Sequence, residues 1–283
     1  MFDTHCHLNF ETFDDKLEPT IALAKKAGVG LMVTPGTNLE NSREAVSIAE
    51  KNAGIFAAVG IHPHHLFEIF NTSSSDINFR QNFIGFLDKI EALLKHEKVV
   101  AVGEVGLDRH LYTKTKYAGY QVEKEFMNWQ RYFLRKQVTL AISGKKSLIL
   151  HNREAIQEFL SLLDEVWDDN LSGRAVFHCC EPDDRLLEFA IRKKVYMGVD
   201  GDVTYQPKKQ IFIKKIPLDL LVLETDSPFL LPHPLKKNTD RYNQPANLPI
   251  IAGFIAKILG KKQEEIEKIT TDNAQDLFQI GKN

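Results

Sequence analysis

Cysteine is scarce in this chain, and so is any excess of charge of one sign. The three cysteines, Cys6, Cys179 and Cys180, are odd in number and form no Cys-x-x-Cys pair, which excludes a disulfide-stapled scaffold and a zinc knuckle. The 36 lysines and arginines are matched by 38 aspartates and glutamates, a formal charge of −2, so no global positive field draws in a polyanion. Any contact with nucleic acid has to be local. No apolar run approaches the length of a membrane span. The first strand candidate begins at Phe2, which leaves no room for a signal or transit peptide, so the expectation is a cytoplasmic protein with no membrane partner. No repeat, proline-rich linker or low-complexity tract interrupts the chain, although 71–75 reads as an exposed loop. With 283 residues, 43% of them hydrophobic, a single domain over 1–283 has enough apolar material for a sizeable core.

What is present is a regular alternation. Short apolar, β-branched runs recur at 2–7, 29–35, 55–61, 99–105, 147–151, 175–179, 195–199 and 221–224, all of strand length. Between them the spacing predicts helices over 17–27, 42–52 with Ser42 as N-cap, a stretch within 76–96, 121–142, 153–167, 183–192 and a weaker one at 208–215. Two more helices follow the last strand, over 248–259 and 263–278, parted by Gly260-Lys261-Lys262. Eight units of strand then helix predict an α/β protein built as a (β/α)8 TIM barrel with extra C-terminal helices; a doubly wound open sheet is the competing arrangement. The stretch 109–128, rich in Tyr and Lys, is long for a strand-to-helix connection and would lie over the ligand-binding rim.

In such a barrel the reactive groups collect at the carboxyl ends of the strands. Six potential metal ligands fall there: His5 and His7, Glu104, His151, His178 and Asp226. His5 and His7 are two apart, so on a strand they point to one face and could grip one cation; alone, the pair also reads as a polar strand face. Glu104 would be a buried carboxylate without an obvious partner, which is costly unless it ligates. Taken singly, His151 and His178 read as hydrogen-bonded core histidines and Asp226 as a turn aspartate ahead of Pro228. Together, four imidazoles and two carboxylates can hold two divalent cations. Glu104 would bridge, with His5, His7 and Asp226 on one ion and His151 and His178 on the other. Two ions about 3.5–4 Å apart can orient a nucleophile and stabilise in-line displacement at phosphorus. That fits phosphodiester hydrolysis, with Glu104 and Asp226 as catalytic carboxylates and Asp226 as general base. Imidazole-rich ligation favours Zn, Mn, Co or Fe over Mg, but availability can override that preference, so Mg, Mn and Zn all remain candidates.

Further residues have softer readings. His62 and His64 end the third strand and could meet a scissile phosphate or support a ligand. Arg153, placed at the start of a helix, and the basic cluster Lys236, Lys237 and Arg241 are candidates for substrate phosphate, with solvated surface charge as the ordinary explanation. Asp3 shares the face of His5 and His7 and could orient one of them. The Lys-Lys pairs at 25–26, 145–146, 208–209 and 214–215 read as surface.

The chain resembles the TatD family of metal-dependent deoxyribonucleases, within the amidohydrolase-like barrel superfamily, over nearly its whole length. The matching stretches are Asp3-Thr4-His5-Cys6-His7-Leu8, Gly60-Ile61-His62-Pro63-His64, Gly103-Glu104-Val105-Gly106-Leu107-Asp108, His151-Asn152-Arg153, Phe177-His178-Cys179, Glu224-Thr225-Asp226-Ser227-Pro228 and Thr271-Asp272-Asn273-Ala274. The resemblance implies a barrel, a two-metal centre made by the six residues above, and hydrolysis of DNA, often from the 3′ end of single strands. It also matches His62 and Arg153 to positions around the substrate. The chain departs from the family pattern at Cys180-Glu181-Pro182-Asp183, at Gln244, and in the length of the segment after Asp108.

Two other functions stay open on sequence alone. One is a metal hydrolase acting on a small amide, lactone or (phospho)ester, since related barrels do such chemistry with similar ligands. The other is a non-catalytic nucleic-acid-binding relative that keeps the barrel. A groove lined by basic or aromatic groups would favour the nuclease, with aromatics in 112–120 and 67–70 as base-stacking candidates. A closed pocket would favour the small-molecule hydrolase.

Overall fold

The computed structural model describes residues 1–67, 76–112, 124–237 and 242–281. All eight apolar runs form strands: β1 (Phe2–Asp3), β2 (Leu31–Pro35), β3 (Ile55–Val59), β4 (Val99–Asp108), β5 (Ser147–Arg153), β6 (Ala175–Phe177), β7 (Tyr196–Val199) and β8 (Leu221–Leu223). They pair in chain order, every pairing parallel. The seam between β8 and β1 is closed by backbone hydrogen bonds, from Thr4 N to Leu223 O (3.1 Å), from Asp226 N to His5 O (2.9 Å) and from His7 N to Ser227 O (2.8 Å). The result is the (β/α)8 barrel, not the open sheet.

The helices are α1 (Leu17–Lys26), α2 (Leu39–Lys51), α3 (Asp76–Leu94), α4 (Lys124–Ser143), α5 (Ile156–Val166), α6 (Asp184–Lys193), α7 (Pro207–Phe212), α8 (Leu248–Leu259) and α9 (Gln263–Phe278). Their ends follow local chemistry. The Asp183 side chain caps α6 by accepting from Arg185 N (2.9 Å), and Gly260 ends α8 in the left-handed conformation at φ 65°, where it meets no Cβ penalty. Two expected boundaries move. Asn38, not Ser42, caps α2, accepting from Asn41 N (2.8 Å); Ser42 is instead buried inside the helix, its hydroxyl 3.2 Å from Gly60 N. Arg153 ends β5 and does not open a helix, because the β4–β5 ladder runs on through Asp108↔Arg153. That extension depends on Gly106, where an added Cβ would stand 1.8 Å from His151 O.

Side chains alternate along each strand, as the strand period requires. One inward layer takes a residue from every strand, namely Phe2, Val33, Ala58, Ala101, Ile149, Val176, Tyr196 and Val222, and joins Ala274, Leu277 and Phe278 of α9. The Phe2 and Phe278 rings lie 5.7 Å apart, so the last helix plugs the amino-terminal mouth of the barrel and leaves the opposite mouth for chemistry. The alternate residues, among them Met32, Ala57, Val59, Leu148, Leu150 and Met197, pack outward against the helices.

One lysine pair departs from its surface reading. Lys209 is 3% exposed, and its ammonium is paired with Asp200 (3.2 Å) and Asp202 (2.7 Å) because α7 turns that side chain toward the barrel. No helix among the described residues is long and apolar enough to cross a membrane. The loop expected at 71–75, residues 113–123 of the 109–128 segment, the aromatic candidates beyond Phe67, and Arg241 lie outside the described residues.

Candidate metal centre

The carboxylate of Glu104 is buried at the centre of the open mouth. Its Oε2 lies 3.5 Å from His5 Nε2 and 3.7 Å from His7 Nε2. Its Oε1 lies 2.9 Å from His151 Nδ1, 2.9 Å from His178 Nε2 and 3.4 Å from His62 Nε2. Asp226 Oδ1 completes the first group at 3.7 Å from His5 Nε2 and 3.5 Å from His7 Nε2, and the two Nε2 atoms are 3.2 Å apart. Ligand atoms about 2.1 Å from a shared ion at tetrahedral angles stand about 3.4 Å from one another, and His5 and His7 with either carboxylate keep that spacing, at 3.2 to 3.7 Å. In the second group His151 Nδ1 and His178 Nε2 are 3.3 Å apart, again a ligating separation. The structure thus brings all six sequence-derived ligands together, and His62 joins them.

Most of the histidines sit beyond regular strand. β1 stops at Asp3 and β6 at Phe177, so His5, His7 and His178 lie on the first turns past the strand ends, while Glu104 and His151 remain in β4 and β5. Asp226 and the neighbour of His178, Cys179, have left-handed backbones at φ 49° and 46°, a strain that non-glycine residues tolerate where the surrounding structure imposes it. Asp3 touches neither ring. It accepts from His5 N (3.3 Å), Thr225 N (3.0 Å) and Thr225 Oγ1 (2.7 Å), so it locks the β1 end to the β8 loop and orients His5 through the backbone.

The electrostatics are those of a site that draws in positive charge. Burial pushes the Glu104 carboxyl up, but the His178 and His62 rings, with hydrogen bonds from His151 and His178, hold it well below the usual carboxylate range. Burial pulls His151 down, yet its hydrogen bonds to Asp108 and Glu104 raise it to about 9. Against the same desolvation, Glu104 and Glu224 raise His178 well above the ordinary imidazole value. His62 goes the other way, to about 3, because burial dominates. Divalent cations satisfy the ionised carboxylates while leaving the imidazoles neutral, as ligation requires.

Two carboxylates that sequence reasoning left without a role support the ligands. Asp108 Oδ2 accepts from His151 Nε2 (2.9 Å), lies 3.1 Å from His64 Nε2 and accepts from Tyr112 Oη (3.1 Å). It stands four residues after Glu104, and on one strand that spacing shares a face, a signal that was available in the sequence. Glu224 is fully buried, accepts from Cys179 N and from Thr4 Oγ1 (3.3 Å), and places Oε1 3.7 Å from His178 Nδ1. Gly198 makes its room, since an added Cβ would meet Glu224 Oε2 at 2.4 Å. His64 therefore sits one layer outside the ligand set. Arg153 donates to Tyr112 Oη (2.9 Å) with its guanidinium 5.1 Å from the ring centre. Lys236 holds its ammonium 3.2 Å from the centre of the Tyr205 ring, and Lys237 follows it in the same short 3-10 turn.

A closed parallel barrel that pools imidazoles and carboxylates around one buried glutamate at its strand ends defines a metal-dependent hydrolase. The family model for TatD-related DNases matches residues 2–279, and the chain belongs to that family. YabD of Bacillus subtilis (strain 168), named an uncharacterized metal-dependent hydrolase, is 32% identical over 283 residues, covering 99% of this chain and 100% of YabD. A protein of Cronobacter turicensis named 3′-5′ ssDNA/RNA exonuclease TatD is 32% identical over 284 residues, covering 98% of this chain and 97% of its own. Among solved structures, the TatD homologue YjjV of Escherichia coli K12 superposes with a TM-score of 0.81 at 27% identity, covering 99% of this chain and 98% of that one.

Proposed function

We propose that this enzyme is a deoxyribonuclease that hydrolyses DNA phosphodiester bonds with two divalent cations, acting on single strands from the 3′ end. The observation that carries the two-ion reading is the division of Glu104, whose two oxygens face different imidazole pairs. His5, His7, Asp226 and Oε2 of Glu104 would hold one ion, and His151, His178 and Oε1 of Glu104 the other. Bound there, the ions supply positive charge for an incoming water and for the phosphate oxygens of an in-line displacement. The single-strand and 3′-end preferences rest on the activity in the name of the Cronobacter relative.

The chain's own groups do the rest. Asp226, with 9% exposure against 4% for Glu104, is the more open carboxylate and takes the proton of the attacking water. His62, 3.4 Å from Glu104 Oε1, is the β3-side histidine nearer to a scissile phosphate, and His64 braces Asp108 at 3.1 Å. Arg153, steadied by Tyr112, offers a planar fork to a phosphate. Lys236, Lys237 and Arg241 add local positive charge to a chain whose net charge supplies none.

The test is a cleavage assay with EDTA-stripped protein resupplied with Mg, Mn or Zn, on 3′- and 5′-labelled single- and double-stranded DNA. The expected result is metal-dependent release of nucleotides from the 3′ end of single strands. Hydrolysis of small esters with every DNA left intact would reassign the site to small-molecule chemistry.

A further inference from the structure

Phe229 keeps a large apolar ring in water beside the catalytic groups. It is 52% exposed and lies three residues past Asp226, to whose carbonyl its backbone N donates (2.9 Å). That bond holds it at the site. Its ring stands edge-on to His7 (centroids 6.3 Å, 73°) and to Phe10 (6.0 Å, 76°), while Phe10 stacks on His7 (4.3 Å, 17°). Among the exposed large hydrophobic residues of the described chain, Phe229 alone makes a ring contact with a proposed ligand.

The two sides of Glu104 therefore differ in character. Beyond His151 the border is polar: Asp108, Tyr112 and Arg153 are joined by hydrogen bonds. Beyond His7 it is aromatic. A nucleotide has the same two parts, a charged phosphate and a flat base. The geometry points to a nucleobase subsite in which a base next to the scissile phosphate stacks on the open side of Phe229, with the backbone running toward Arg153. This assignment rests on the nuclease reading above and deepens it. A phenyl face reads no base edge, so the subsite tolerates any sequence; it requires a base free of its own stack, so it selects unpaired strands. Phe10 props His7 and is the wrong residue to test.

The experiment compares Phe229→Ala, Phe229→Leu and Phe229→Trp in the metal-loaded enzyme. The substrates are a single-stranded oligonucleotide and three versions of it with a tetrahydrofuran abasic residue at each of the three 3′-terminal positions. On the intact oligonucleotide, Phe229→Ala and Phe229→Leu should raise KM about 5- to 100-fold with kcat little changed, and Phe229→Trp should restore it. The penalty should vanish when the abasic residue occupies the stacking position, because both changes then remove the same stacking interaction. Thermal melting checks that the variants fold. No penalty on the intact strand, or an equal penalty at all three abasic positions, would overturn the subsite and leave the nuclease reading standing. No cleavage of any oligonucleotide by the unsubstituted enzyme would overturn both.

Discussion

Asp108 holds His151 by a 2.9 Å hydrogen bond between its Oδ2 and the ring Nε2. With Nε2 engaged as donor, Nδ1 is the nitrogen left to ligate once its proton is displaced, and it faces Glu104 and His178. The carboxylate thus sets both the tautomer and the direction of a ligand it never replaces. Asp108→Ala should weaken metal binding or lower activity by roughly 10- to 100-fold, with the loss confined to one of two calorimetrically distinct sites. An unchanged isotherm would remove Asp108 from the centre.

In the proposed two-ion arrangement, Glu104 is the group shared by both sets of donors. Glu104→Gln removes the charge but keeps the shape, so the stoichiometry measured by equilibrium dialysis should fall below two ions per chain, and cleavage should be lost. Two tight sites surviving in this variant would exclude the bridge.

Metal loading should depend on pH, and the sign follows from His151. Its free-protein value is raised to about 9, so below pH 9 a proton occupies the ring and the cation has to displace it. Affinity at the His151/His178 position should therefore fall as pH drops from 9 to 6, by up to about tenfold per unit for each proton displaced. Calorimetry at pH 7 in buffers of different ionisation enthalpy should detect the released protons. An affinity flat across that range would contradict the assignment.

The basic cluster after β8 should act on the substrate and not on the chemistry. Alanine at Lys236, Lys237 and Arg241 together is expected to raise KM for DNA and to flatten its dependence on salt, by about one unit of slope for each phosphate that is no longer neutralised. Steady-state kinetics from low to high KCl would measure it. The same salt profile in the triple variant and the unsubstituted enzyme would place these charges in solvent.

Stability should respond to the plug at the other mouth. Phe278 is 3% exposed and packs on Phe2, so Phe278→Ala should cost about 3–5 kcal/mol, read as a lower urea midpoint. A loss under about 1 kcal/mol would mean that α9 is not part of the barrel core.

Much of this molecule was determined by the sequence alone, because its main devices are local. Short continuous apolar runs and their alternation with helical spacing need no knowledge of distant neighbours, and strand ends can be counted along the chain; that placed His5, His7, Glu104, His151, His178 and Asp226 at one mouth. What only the tertiary structure decided depends on pairings across the barrel. Closure of β8 on β1 sets Asp226 against His5 and His7, and the β4–β5 register, open at Gly106, carries Asp108 up to His151. Lys209 has the residue type of a surface lysine, and only the packing of α7 makes it buried. Phe229 has the residue type of a core side chain, and only the turn after Asp226 leaves it open beside the ligands. Residue type and period are properties of neighbours along the chain, whereas burial, ligand geometry and proton affinity arise from groups that folding alone brings within a few ångströms.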